Sequence, residues 1–248
     1  MSHCQVFTDD EIASFKKGGA ILRACLEMLR PLVQAGVTTL SLDQLAETFI
    51  RDHGGLPAFK GYHGFPATLC TSVNEECVHG IPGLRALAEG DIISLDCGVL
   101  MDDLYTDACI TVGVGAISTT AQKLLNVTER ALEQAVSIVK KGIRVGDISA
   151  IIQKTVEAGG CVPVRSLTGH GLSRTLHAYP DIPNRGSRNT GPILPANTVL
   201  AIEPIVSLSA DDVRTTGDGW TLVTEDHSLA AHFEHTVLVT EEGCEILA

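Results

Sequence analysis

The stretch Ile92-Ile93-Ser94-Leu95-Asp96-Cys97-Gly98 runs on through Met101-Asp102-Asp103 to Tyr105-Thr106-Asp107-Ala108. Apolar and β-branched residues on both arms, with a polar turn near Met101-Asp102-Asp103, predict an antiparallel hairpin from Asp91 to Val114. Each arm carries an aspartate where a core strand should be apolar. A buried carboxylate without a partner costs several kcal/mol, so Asp96 and Asp107 need a cation or hydrogen bonds. Either one alone reads equally well as a turn or edge residue.

Three further motifs repeat the anomaly. Thr168-Gly169-His170-Gly171 flanks a histidine with glycines, which let the backbone approach closely and leave the ring accessible. Leu200-Ala201-Ile202-Glu203-Pro204 ends an apolar strand on a glutamate. Ala231-His232-Phe233-Glu234-His235-Thr236 places His232, Glu234 and Thr236 on one strand face, with Phe233 and His235 on the other. Two Asp, two Glu and one Gly-flanked His share no reason to enter apolar strands independently. One oxygen-rich site with an imidazole accounts for all five. That donor set suits two divalent ions such as Mn, Fe, Co or Zn, bridged by carboxylates as in two-metal hydrolysis.

Helices are expected around these strands. Thr8 and Glu11 form a capping box, and Ile12, Phe15, Gly19, Leu22, Leu26 and Leu29 follow with helical period until Pro31. A second helix is expected from Ser41, burying Leu42, Leu45, Ala46 and Phe49 and breaking at Gly54-Gly55. A third spans about 119–141, and a fourth follows an N-cap at Asp147 and stops at Gly159-Gly160. Further strands are expected at 67–73, 198–208, 221–224 and 232–239. The chain thus reads as a mixed α+β unit of two blocks, about 1–116 and 117–248, with no long linker and no visible repeat.

With 30 acidic against 18 basic residues the net charge is −12, which argues against nucleic-acid binding through a basic surface. The basic pairs Lys16-Lys17 and Lys140-Lys141, both read as helical, are too short for one, and a patch of that size suits at most transient docking on an RNA-rich partner such as a ribosome. No stretch of about 18 apolar residues offers a membrane span. Met1-Ser2-His3-Cys4-Gln5 shows no secretory pattern. Eight cysteines without C-x-x-C spacing read as reduced, mostly buried thiols of a cytoplasmic protein.

In order and spacing these motifs resemble the methionine aminopeptidases, specifically their shorter bacterial type. The resemblance takes in Gly61-Tyr62-His63-Gly64-Phe65-Pro66, Asn74-Glu75 with Val78-His79-Gly80-Ile81-Pro82, and the Asp96/Asp107 pair. It continues through Gly169-His170-Gly171, Glu203-Pro204, Asp218-Gly219-Trp220-Thr221 and Glu234-His235-Thr236. It implies the pita-bread fold, two pseudo-symmetric αβ halves around a curved antiparallel sheet. It also implies ligation of two divalent ions by Asp96, Asp107, His170, Glu203 and Glu234, with Asp107 and Glu234 bridging.

A bridging water or hydroxide would attack the first peptide bond, with Glu203 as general base. His79 would contact the scissile amide and His177 would assist at the oxyanion. Tyr62, Phe65, Cys70 and Trp220 would form the methionine pocket, helped by Phe59 and Leu176. The implied partners are peptide or nascent-chain N-termini beginning with Met, processed by a monomer that prefers a small second residue.

Three positions depart from the family pattern: Ser173 where glycine is usual, Ala178 where an acid commonly follows His177, and His232 where glutamine is common. Ser173 is expected to stiffen a turn near His170, and His232, with Thr236, to sit just behind the ligands. Prolyl peptidases and creatinase share the fold. The former usually carry an extra N-terminal domain and the latter lacks the full ligand set. The helical insertion of the type II class has no room in the 25 residues between His177 and Glu203. A catalytically dead binding module would have shed ligands, and here all five are present.

Overall fold

A computed structural model describes residues 3–248, so Met1 and Ser2 of the N-terminal stretch lie outside the described residues. Helix α1 (Asp9–Leu29) begins at the expected box: Glu11 N–H donates to Thr8 Oγ1 and Thr8 N–H to Glu11 Oε2. Gly18 and Gly19 cost helix propensity. Gly19 makes room, because a Cβ there would stand 2.5 Å from the Leu247 carbonyl.

Helix α2 (Thr39–Asp52) starts two residues before the expected point, because Thr38 rather than Ser41 caps it. Both are hydroxyl residues, and only Thr38 has the extended backbone that a cap requires. Its buried face carries Leu42, Ala46 and Ile50, whereas Leu45 is exposed. Helix α3 (Thr119–Ser137) ends before the lysine pair, so Lys140 and Lys141 lie in a turn and not on a helix. Helix α4 (Val145–Ala158) has Arg144, not Asp147, at its cap; Asp147 sits in the first turn and accepts from the Arg144 and Asn189 N–H groups. No helix is long and apolar enough to cross a membrane, among the described residues.

The hairpin pairs Ile92–Met101 with Leu104–Gly113 in unbroken antiparallel register from Ile92↔Gly113 to Met101↔Leu104. Its turn is Asp102-Asp103, both at positive φ, the backbone that matches strand twist in a two-residue turn. On its other edge, Ile92–Met101 pairs with Leu69–Val73 and with Leu56–Pro57. Helices α1 and α2 cover this sheet through Leu22, Leu26, Leu42 and Ile50.

A five-stranded sheet follows in the order Cys244–Ile246, His235–Val239, Val199–Ile202, Thr168–Gly171, Ala178–Pro183. Helices α3 and α4 pack on the second block through Leu124, Leu132, Ile148 and Ile152, against Leu200, Ile202 and Val237.

Two expected continuous strands are split. Residues 198–208 form Val199–Ile202 and Ile205–Ser207, and residues 232–239 form Ala230–His232 and His235–Val239. Val199–Ile202 pairs with His235–Val239 in one sheet, and Ile205–Ser207 pairs with Ala230–His232 in another. Pro204 supplies the physical reason: it has no N–H to donate, so the ladder breaks there and its neighbour breaks opposite it, at Phe233-Glu234. Glu203 and Glu234 sit at that break. Across it, Glu234 pairs with Cys109 of the hairpin in an isolated bridge, so the first sheet meets the second at the line of aspartates and glutamates.

Candidate metal centre and active site

The five expected ligands come together in one recess. Asp96 stands opposite Cys109 and Asp107 opposite Gly98, which puts both carboxylates on one face of the hairpin. The Asp107 backbone is clamped from the facing sheet: its N–H donates to Thr236 Oγ1 at 2.8 Å, and that hydroxyl donates to its carbonyl at 2.6 Å. His170 lies opposite Ala201 in the five-stranded sheet. Its flanking glycines allow the expected close backbone approach, since a Cβ at Gly169 or Gly171 would fall 2.5 or 2.3 Å from a neighbouring backbone oxygen, while the ring itself is buried. The Ser173 hydroxyl lies within the following turn, accepting from the Thr175 N–H at 3.0 Å.

His170 Nδ1 lies 3.1 Å from the Gly171 carbonyl. A proton held there leaves Nε2 with a free lone pair, the tautomer a metal requires. That Nε2 stands 3.5 Å from Glu203 Oε1 and 3.9 Å from Asp107 Oδ2. Asp96, Asp107, Glu203 and Glu234 are each under one-tenth exposed, and no Lys or Arg pairs with any of them among the described residues. Asp96 Oδ1, Asp107 Oδ1 and Glu234 Oε1 have no hydrogen-bond partner.

Burial, reinforced by neighbouring carboxylates, pushes Asp107 and Glu234 well above the usual carboxylate range; burial likewise raises Asp96 to about 6. Four buried carboxylates, three of them with an orphaned oxygen, and no compensating cation from the protein have the chemistry of a divalent-metal site. The residues fit such ions. His232, expected just behind the ligands, lines the same recess.

The other expected residues surround it. His79 and His177 line the recess, and so do Tyr62, Phe65, Cys70, Trp220, Phe59 and Leu176. The Phe65 and Trp220 rings meet edge-on at 5.2 Å. Asp218 holds Trp220 in place, accepting from the Trp220 and Thr221 N–H groups at 2.8 and 2.9 Å. Burial drives the Cys70 thiol well up, so it stays neutral and behaves as a small apolar wall.

His177 Nδ1 lies 3.2 Å from the Tyr62 hydroxyl, and burial together with His170 lowers its pKa to about 4. Burial also lowers His79, which occupies a left-handed backbone position at φ 60°. Sequence reasoning missed His63 and Val78, which also line the recess. His63 stands inside the quoted Gly-Tyr-His-Gly-Phe-Pro motif, between glycines at positive φ, and that pattern was the available signal.

A profile of Metallopeptidase family M24 matches residues 13–241. The chain belongs to the methionine aminopeptidases of that family. It is 46% identical over 239 residues to a methionine aminopeptidase of Clostridium perfringens, covering 96% of each chain. It is 45% identical to methionine aminopeptidase 1 of Bacillus subtilis, covering 97% of each. The crystal structure of a methionine aminopeptidase from Thermotoga maritima superposes with a TM-score of 0.98 over 99% of both chains, at 43% identity. The fold is therefore the pita-bread fold, and membership makes the chain a metallopeptidase, a hydrolase.

Proposed function

We propose that this chain removes the N-terminal methionine from peptides and nascent proteins, using two divalent ions held by Asp96, Asp107, His170, Glu203 and Glu234. One observation carries the reading: five chelating side chains, three of them with an orphaned oxygen, converge in a recess also lined by Tyr62, Phe65, Cys70 and Trp220. Bound there, divalent ions supply Lewis acidity toward the peptide carbonyl and make water a competent nucleophile near neutral pH.

The protein's own groups do the rest. The apolar wall takes the unbranched thioether side chain and aligns the first peptide bond over the carboxylates. Glu203, at the strand end, accepts the proton of the attacking water and is placed to return it to the leaving nitrogen. His79 and His177 are both pushed toward the neutral imidazole by burial, so each offers an N–H to a developing negative oxygen or to the amide without adding charge. The Tyr62 hydroxyl orients His177. The second substrate residue meets the rim of the recess, where His63 and His177 stand, so a small side chain is favoured there.

All eight cysteines are free, which suits a reducing, cytoplasmic setting.

The peptide Met-Ala-Ser, with Mn or Co added to metal-free protein, should release free methionine. Ala-Pro-Ala should not be cleaved, and Met-Leu-Ser should be cleaved more slowly than Met-Ala-Ser. Absence of methionine release with every divalent ion tried would refute the assignment, and preferential cleavage of Ala-Pro-Ala would point to a prolyl peptidase.

A further inference from the structure

His232 is 2% exposed, and neither of its ring nitrogens has a hydrogen-bond partner. Leaving a buried imidazole unpaired is costly, so a group in this state needs a reason. Its Nε2 lies 3.3 Å from Glu203 Oε2 and 3.7 Å from Glu234 Oε2, yet the first contact lacks the geometry of an N–H···O bond and the second is too long for one. Both carboxylates thus stand near the nitrogen without being hydrogen-bonded to it. Donor atoms that each stand about 2.1 Å from one ion are roughly 3–3.5 Å from each other at octahedral or tetrahedral angles. Glu203, His232 and Glu234 can place one donor atom apiece within 4.8 Å of one another, as can Asp107, His170 and Glu234.

The position is held from behind. The Thr111 hydroxyl donates to the His232 carbonyl at 2.7 Å and accepts from its N–H at 3.0 Å, and the Cys109 thiol donates to the same carbonyl at 3.4 Å. Pairing of His232 with Ile205 fixes the strand register next to the break at Pro204. The ring is thus presented to the carboxylates by a rigid backbone, as a ligand must be.

We propose that His232 is a sixth metal ligand, its Nε2 binding the ion shared by Glu203 and Glu234, so that each ion receives one imidazole. This rests on the two-metal reading above and deepens it. A group that merely oriented Glu203 would donate a well-directed hydrogen bond to it, and none is made. An added imidazole shifts a carboxylate-rich sphere toward zinc, cobalt or iron(II) and away from manganese, which favours all-oxygen surroundings.

The test uses metal-free full-length protein with ¹⁵N-labelled histidine rings, titrated with Zn²⁺ to two equivalents and followed by long-range ¹H–¹⁵N correlation. Two histidines, His170 and His232, should each acquire a metal-bound nitrogen. In His232→Gln only His170 should do so, and the affinity for Zn²⁺ relative to Mn²⁺ should fall at least ten-fold in chelator competition. His232→Asn supplies the resonance assignment if the glutamine variant does not fold, and the wild-type spectrum decides the question in either case. Zinc bound through His170 alone, with His232 unchanged, overturns the sixth ligand and leaves the two-metal reading standing. A wild-type chain that binds no zinc overturns both.

Discussion

Asp107→Asn and His170→Ala should each lower turnover of a methionyl peptide by about a thousand-fold or more. Residues that only orient a metal ligand typically account for roughly 10–100-fold, and these two supply donor atoms. Asparagine keeps the size of aspartate and its clamp by Thr236, because the clamp grips the backbone at Asp107. What it loses is the second anionic oxygen, so it cannot bridge. His170→Ala removes the one ring, among the described residues, whose Nε2 lies within 4 Å of both Asp107 and Glu203. Steady-state rates at saturating metal, with circular dichroism to confirm folding, measure the effect; near-native turnover in either variant would contradict the assignment.

Stripping the metal should leave a protein whose stability falls as pH rises. In an unfolded chain the carboxyls titrate near ~4. In the folded, metal-free chain Asp96 titrates at about 6 and Asp107 and Glu234 well above the usual range, because burial and mutual repulsion disfavour their charged forms. The folded state therefore holds more protons than the unfolded one between these values. Groups raised in this way contribute their stability fully below ~4, and lose it as pH climbs through 6 and beyond.

One pKa unit is about 1.4 kcal/mol, and ~1 kcal/mol moves the melting temperature of a chain this size by roughly 2–4 °C. The metal-free melting temperature should thus drop by several degrees or more between pH 5 and pH 8. Saturating divalent metal should abolish that drop by neutralising the cluster. Calorimetry across the range checks both, and a flat metal-free profile would mean that the carboxylates are already compensated.

The ligands were legible in the sequence because each violates its surroundings: a charge inside an apolar strand, or a histidine between glycines. The hairpin and α1 were legible because turn chemistry and a capping box are local. What escaped depends on residues far apart in the chain. The split at Phe233-Glu234 has its cause in Pro204, on the paired segment, and no reading of residues 232–239 alone contains it. The start of α2 could not be told from sequence because Thr38 and Ser41 are equivalent as cap chemistry, and only backbone angle separates them. His232 was placed just behind the ligands because it occupies a position where glutamine is common. Only its unpaired nitrogens, beside two carboxylates, bring it forward to the metal.

The most direct measurement of the central claim is a crystal of the protein grown with Mn²⁺ or Co²⁺ and an anomalous difference map collected at that metal's absorption edge. Two peaks about 3.5–4 Å apart, enclosed by Asp96, Asp107, His170, Glu203 and Glu234, are the expected result. A map with no peak among these five side chains, at saturating metal, would contradict it.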